Sequence, residues 1–202
     1  PGDRLRTIYE GAALYMSNPR DMQEPSKAFK NNPFKRLRVD LFHYGVGPLY
    51  GHVGETGDGN EFARAHSEQH MRVEGILEIE GEGSISIYGY GIRDHSWGPR
   101  FWQSVPSYRW ITGNYGDDLG MALSVVGERQ GGVFYKGAEL IQVRSIDLDT
   151  KYEEGTSFHK ELVADVTLEN GDKHQIKGLV KGFIPLRNRR SEQVTYIGEG
   201  LT

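Results

Sequence analysis

One short stretch of the chain gathers side chains that can take part in chemistry. Residues 89–100 read GYGIRDHSWGPR and bring Asp94, His95 and Trp97 close together. An imidazole titrates near neutral pH, and an indole offers a flat, electron-rich surface to a nearby cation. A carboxyl group whose pKa is raised by burial can donate a proton. Together these groups suit acid–base chemistry that passes through a cationic transition state.

The period of two along a strand divides these residues between two faces. Glycines flank the cluster, which predicts a strand that turns just after Trp97. In extended geometry Arg93, His95 and Trp97 project from one face, and Asp94 and Ser96 project from the other. We expect the face with His95 and Trp97 to meet the interior of a barrel. The alternative is structural: Asp94 caps the turn or pairs with the arginines, and the two rings are ordinary packing groups.

Further candidates lie on either side of this stretch. Tyr115 and Asp117 occupy a glycine-bearing turn and can add a phenol and a carboxylate, although an ordinary turn explains them as well. Upstream, Glu68 and His70 share a strand face, where the pair suits proton transfer or a salt bridge at the rim. The candidate catalytic residues are Asp94, His95, Trp97, Tyr115 and Asp117. The candidate ligand-binding residues are Glu68, His70, Arg93, Tyr108 and Trp110.

Metal and cofactor motifs are weak in this chain. His66 and His70 lie on one face whether their segment is a strand or a helix, which suits a metal pair. No third ligand is evident, so no metal site is predicted. The glycine-rich stretches lack the Lys-Ser/Thr of a phosphate-binding loop, and no G-x-S-x-G motif is present. Any catalysis is therefore expected to proceed without a cofactor.

Composition excludes several classes of partner. The 202 residues carry a formal net charge of -4 at pH 7, which gives no electrostatic reason to expect nucleic acid or an anionic membrane. The apolar runs are far shorter than the ~20 residues that cross a bilayer, so no membrane span is predicted. Cysteine is absent, which fits a reducing compartment, and a cytoplasmic location is expected. The sequence does not determine the oligomeric state.

Short alternating patterns recur along nearly the whole chain and predict an all-β fold. Strands are expected at 6–15, 35–44, 68–80, 84–92, 107–114, 119–126, 132–135, 139–148, 160–168, 174–183 and 192–198. Turns rich in Gly and Asn indicate consecutive antiparallel hairpins, so an antiparallel β-barrel is favoured, with a β-sandwich as the alternative. Residues 18–33 and 55–65 are expected to be loop excursions from a single domain spanning residues 1–202.

The stretch 89–100, with residues 68–82 before it, resembles the lipocalin-like superfamily of the AttH-type proteins and the carotenoid 1,2-hydratases. The signature is G-x-G-x-R-D-H-x-W-G-x-R. The resemblance implies a lipocalin-like β-barrel with a cavity for a hydrophobic ligand, and a two-barrel parent of which this chain is mainly the second part. It also implies acid-assisted addition of water to a carbon–carbon double bond. His95 and Trp97 match the family's D-H-x-W segment, Tyr115 and Asp117 match a later tyrosine and aspartate in chemistry and order, and Asp94 is the rival acid.

Two functions follow from this reasoning. The first is a cofactor-independent enzyme that hydrates, dehydrates, isomerises or cyclises an isoprenoid-like alkene through a carbocation. The second is a non-catalytic, lipocalin-like binding protein for a hydrophobic small molecule. The surroundings of His95 discriminate between them: a carboxyl group and a phenol beside it favour chemistry, and a salt bridge from Arg93 or Arg100 favours a structural role.

Overall fold

The structure, a computed structural model, describes residues 4–53, 65–98, 107–187 and 194–201. Strands make up 72% of it and helices 7%. The described strands form two antiparallel sheets, one of five strands and one of seven. The chain contains a curled half-barrel sheet, consistent with an all-β lipocalin-like fold. The prediction of an antiparallel all-β fold is therefore confirmed.

The five-stranded sheet is built around one long hairpin. Its strands are β1 (Arg4–Leu14), β2 (Phe34–Gly45), β3 (Tyr50–Val53), β4 (Ala65–Ile79) and β5 (Gly83–Trp97). On one side of β4, β2 pairs with residues 71–79 and the short β3 pairs with residues 65–68. On the other side, β5 pairs along the whole length of β4. β1 pairs with the far side of β2.

The registers of this sheet sort its side chains by residue number. In β1, β2, β4 and β5, each pair joins two odd-numbered or two even-numbered residues. Because directly paired residues share a face and neighbours alternate, the sheet has an odd face and an even face. The odd face carries an apolar stripe formed by Leu37, Val39, Leu41, Val73, Leu77, Ile79, Ile85 and Ile87. The even face is mostly charged, with ion pairs such as Arg6–Asp40 and Arg38–Glu78.

The seven-stranded sheet follows the chain order from β6 to β12. Its strands are β6 (Tyr108–Asn114), β7 (Leu119–Val126), β8 (Arg129–Lys136), β9 (Glu139–Tyr152), β10 (His159–Leu168), β11 (Lys173–Arg187) and β12 (Val194–Leu201). Each strand joins the next in an antiparallel ladder, as the turn residues predict. The hydrophobic core lies on this sheet and includes Met121, Leu123, Phe134, Val166 and Leu168.

Two predicted loop regions differ in outcome. Residues 18–33 contain a 3-10 helix at Pro19–Gln23 and a short helix α1 at Pro25–Asn31, so this segment is partly helical rather than a simple loop. Each helix begins with a proline, whose missing N–H costs nothing at a first position. Residues 55–64 lie outside the described residues. Within the described part, neither helix has the length and apolar character needed to cross a bilayer.

Candidate functional site

The turn between β4 and β5 determines which residues of the hairpin meet. Gly81 and Gly83 adopt positive φ angles at this turn, a conformation that glycine tolerates best. The ladder begins with Ile79 opposite Gly83 and continues without a shift, so Glu68 lies opposite Asp94. The hairpin therefore joins two acidic residues that are far apart in sequence.

A polar cluster forms on the even face at the end of the hairpin that lies far from the turn. His66 Nε2 lies 3.0 Å from Glu68 Oε1 and 2.9 Å from Asp94 Oδ1. Glu68 is only 3% exposed, whereas the Asp94 side chain remains 41% exposed. The hydrogen bond to Glu68 and the two nearby carboxylates raise the pKa of His66 above its ordinary value, against the opposing effect of burial. Asp94 thus pairs with an imidazole.

A second group of buried polar residues continues from this cluster towards the seven-stranded sheet. His70 Nδ1 lies 2.7 Å from Asn114 Oδ1, which fixes Nδ1 as the donor. His70 Nε2 lies 3.3 Å from the Tyr50 hydroxyl, and the His70 ring packs 5.0 Å from the ring of Tyr135. Burial lowers the pKa of His70, so the ring is neutral near pH 7. These contacts tie β3, β4, β6 and β8 together.

The odd face carries two buried polar atoms at the same end of the sheet. The side chain of Gln69 is 7% exposed, and its Nε2 donates to the backbone oxygen of Gly47. Gln69 Oε1 and His43 Nε2 are buried and have no hydrogen-bond partner within the described part of the chain. Such atoms are uncommon because each costs about 1–3 kcal/mol of desolvation. They are the feature of this face that most resembles a binding site.

Glycines leave room beside these atoms. A Cβ built at Gly89 or at Gly91 of β5 meets no atom of the described residues within 4 Å. Both positions lie on the odd face, between the apolar stripe and the paired rings of His95 and Trp97. Along β5 the odd face therefore presents three regions in order: the apolar stripe, the two glycines where the backbone is not covered by side chains of the described residues, and a polar end.

The structure divides the predicted catalytic residues between the two faces. Arg93, His95 and Trp97 lie on the odd face and Asp94 on the even face, as the period of two predicted. The rings of His95 and Trp97 lie 5.1 Å apart, and Trp97 is 46% exposed. The expectation that both rings face a closed interior is therefore wrong for this chain, because both side chains are exposed, even though Ala65 and Gln69, which lie opposite Trp97 and Arg93 on β4, are buried.

The downstream candidates lie on the even side of the sheet or on β6. Asp117 accepts hydrogen bonds from Arg72 Nη1 at 2.8 Å and from the Tyr90 hydroxyl at 2.9 Å, and both donors are on the even face. Tyr115 stands in the same turn and is partly exposed. Tyr108 and Trp110 lie on β6. The hairpin of β6 and β7 therefore reaches the even face, away from His95.

Of the predicted ligand-binding residues, Glu68 and His70 are brought together on the even face, and Arg93 is placed on the opposite one. Within the described part, no carboxylate or phenol is bonded to His95, and no arginine pairs with Asp94. Arg100 lies outside the described residues. Among the described residues, His95 therefore has neither the carboxyl and phenol neighbours expected of a catalytic residue nor a salt bridge from Arg93, and the predicted salt bridge from Arg100 is not tested.

A separate concavity lies where the 3-10 helix covers β10 and β11. It has a volume of about 180 Å³ and is lined by residues that include Arg20, Glu153, His159 and Phe183. Arg20 donates two hydrogen bonds to the Glu153 carboxylate, at 2.8 and 2.6 Å, and covers the ring of Phe158. These contacts hold the helix on the sheet and explain the concavity without a ligand.

The curled antiparallel sheet and its apolar odd face define an all-β protein of lipocalin-like architecture. The chain belongs to the family described as a domain of unknown function (DUF7064), whose family model matches residues 2–202. No curated protein and no solved structure gives a match. The resemblance to the carotenoid hydratases remains a prediction.

Sequence reasoning missed several members of both polar groups. It did not select His43, Tyr50, Gln69, Asn114 or Tyr135 as site residues, and it considered His66 only with His70. Counting strand residues outward from the glycine turn gives the register of the hairpin, and that register would have predicted the pairing of Glu68 with Asp94. No local signal marks Asn114 or Tyr135, because their role depends on how the second sheet meets the first.

Proposed function

We propose that this chain binds an apolar small molecule along the odd face of the five-stranded sheet. The single observation that carries the proposal is that two buried atoms, Gln69 Oε1 and His43 Nε2, have no hydrogen-bond partner among the described residues and lie at one end of an otherwise apolar face. Apolar surface with a few polar groups at defined places is what small-molecule sites consist of. The resemblance to lipocalin-like proteins supports the same class of ligand.

The chemistry of the polar end limits the ligand further. Gln69 Oε1 accepts a hydrogen bond, His43 Nε2 can donate or accept one, and Arg93 on the same face supplies donors. A ligand with an extended apolar body and one hydroxyl group satisfies these atoms and covers the apolar stripe. The uncrowded strip at Gly89 and Gly91 gives its body access to the sheet.

Retinol, a fluorescent isoprenoid alcohol, is a suitable test ligand. We expect it to bind the full chain, and we expect Gly89→Leu and Gly91→Leu to weaken binding by roughly tenfold or more, which is about 1.4 kcal/mol. Ser86→Leu is the matched control, because it adds the same side chain to the even face of the same strand. Equal affinity in the glycine variants and the wild type would refute the site.

The polar end can be tested separately with retinyl acetate, which lacks the hydroxyl proton. We expect the wild type to prefer retinol to the acetate because Gln69 Oε1 accepts that proton. The Gln69→Leu variant should lose this preference while it continues to bind both molecules. A preference that survives in Gln69→Leu would show that the hydroxyl group binds elsewhere.

A catalytic version of the proposal is favoured by the position of His95 and Trp97 on the same odd face, with their rings 5.1 Å apart. In this version His95 gives a proton to one carbon of a ligand double bond and Trp97 stabilises the cation. Water then adds to the other carbon and returns a proton to His95. Asp94 and Asp117 stand on the other side of the sheet, so the proton comes from His95.

Turnover is measured as incorporation of labelled water into squalene, detected by mass spectrometry. We expect the His95→Gln variant to lose it and His174→Gln to keep it, because His174 stacks on Phe134 in the second sheet. If the wild type binds retinol but adds no water to squalene, the chain is a binding protein.

A further inference from the structure

Three potential metal ligands converge on the even face, where β3, β4 and β5 lie side by side. His66 and Glu68 are two positions apart on β4, so they share a face, and Asp94 of β5 lies directly opposite Glu68. An imidazole nitrogen and two carboxylate oxygens therefore point to one place from two hydrogen-bonded strands. Strand positions of this kind hold ligands more rigidly than loops do.

The spacing of these atoms fits a metal ion. His66 Nε2 lies 3.0 Å from Glu68 Oε1 and 2.9 Å from Asp94 Oδ1, and all the candidate donor atoms lie within 4.8 Å of one another. Two ligands at right angles, each about 2.1 Å from a metal, are separated by about 3.0 Å. The imidazole is therefore placed relative to each carboxylate as neighbouring ligands of an octahedral ion are.

The charges of the cluster are unbalanced. Glu68 is buried, yet in the described ranges His66 provides the cationic partner of both Glu68 and Asp94. By contrast, the carboxylates of Asp40 and Asp117 each pair with an arginine. A protonated His66 supplies one positive charge to two carboxylates, and a neutral His66 supplies none. A divalent cation would balance both carboxylates and remove the cost of burying Glu68.

We propose that His66, Glu68 and Asp94 bind one divalent first-row transition-metal ion, of the class of Mn²⁺, Co²⁺ and Zn²⁺. The imidazole favours these ions over Mg²⁺ and Ca²⁺, which prefer oxygen ligands alone. Three protein ligands leave coordination positions for water or a substrate, and the partly exposed Asp94 lies on the accessible side.

The test uses the full chain after treatment with a chelator. Mn²⁺ is titrated and the free ion is followed by its paramagnetic resonance signal, and Co²⁺ is titrated separately and followed by its visible absorption. We expect one ion per chain for each metal. Asp94→Asn is the decisive variant, because Asp94 is partly exposed and the amide keeps its shape; affinity should fall by roughly tenfold to a hundredfold or more.

The matched control is His95→Gln, since His95 is the next residue on β5 but points to the odd face. Its affinity for Mn²⁺ and Co²⁺ should remain within about twofold of the wild type. Such a change is well below a tenfold loss, which corresponds to roughly 1.4 kcal/mol. Three results would overturn the proposal: no binding by the wild type, full affinity in Asp94→Asn, or an equal loss in His95→Gln. Binding of a ligand on the odd face is tested by the substitutions at Gly89, Gly91 and Gln69, so the binding proposal and the metal proposal can fail separately.

Discussion

Gly75 and Gly89 should respond in opposite ways to the same substitution, Gly→Ala. Both glycines lie on the odd face, Gly75 near the centre of β4 and Gly89 on β5, which pairs with β4 alone among the described strands. Gly75 has a φ of 155°, and a Cβ there would overlap the backbone oxygen of Asp40 and lie 2.9 Å from the Cα of Leu41. A Cβ at Gly89 would meet no atom of the described residues within 4 Å.

The size of each effect follows from these distances. Carbon atoms pack at about 3.5–4.0 Å, so Gly75→Ala forces β2 and β4 apart by roughly 1 Å in the middle of their ladder. Overpacking and backbone strain of this kind cost about 2–4 kcal/mol in the free energy of unfolding. Gly89→Ala should instead stabilise the protein by about 0.5–1 kcal/mol, because alanine loses less chain entropy than glycine in a strand.

Urea denaturation followed by circular dichroism measures both effects. With a urea dependence of about 2 kcal/mol per molar, Gly75→Ala should lower the midpoint by about 1–2 M. Gly89→Ala should raise the midpoint slightly. Equal midpoints for the two variants would refute the registers from which the odd face is defined, because the whole difference depends on what each Cβ would contact.

Two further predictions concern buried groups in the second sheet. Burial, followed by the charge of Arg109, lowers the folded-state pKa of His159 below the ordinary histidine value of about 6.5, so the unfolded chain takes up this proton first. The free energy of unfolding, measured by urea denaturation, should therefore fall as the pH drops below about 6.5. The His159→Gln variant should show a weaker dependence of this free energy on pH. An unchanged pH dependence in the variant would contradict the lowered pKa of His159. Tyr135→Phe removes a buried hydroxyl with no partner in the described part of the chain and should raise the free energy of unfolding by about 1 kcal/mol; a loss of that size would mean that the hydroxyl is bonded.

The strand pattern was readable from the sequence because the period of two is strong in the long strands. Strand β7 was predicted at its observed bounds, residues 119–126, and the other long strands were found with ends that differ by a few residues. The four-residue β3 was missed because it is too short to show alternation. The helix α1 was missed because it spans only seven residues, begins with proline and lies among polar residues.

The candidate site was only partly readable. Alternation placed His95 and Trp97 on one face and Asp94 on the other, and the hairpin agrees with that division. The same local rule cannot say which face is covered, because coverage depends on elements that are distant in sequence. For this reason a closed interior around the two rings was expected, and both rings were found exposed.

The sequence by itself determined the all-β class, the hairpin connections and the face to which each strand residue points. These properties depend on neighbouring residues, on turn chemistry and on an alternation that repeats every two positions. Tertiary structure alone decided that Tyr50 and Asn114 meet His70 and that Gln69 Oε1 is buried with no hydrogen-bond partner in the described part of the chain. The energies of such contacts come from burial and from the approach of separate strands, which no local pattern of residues encodes.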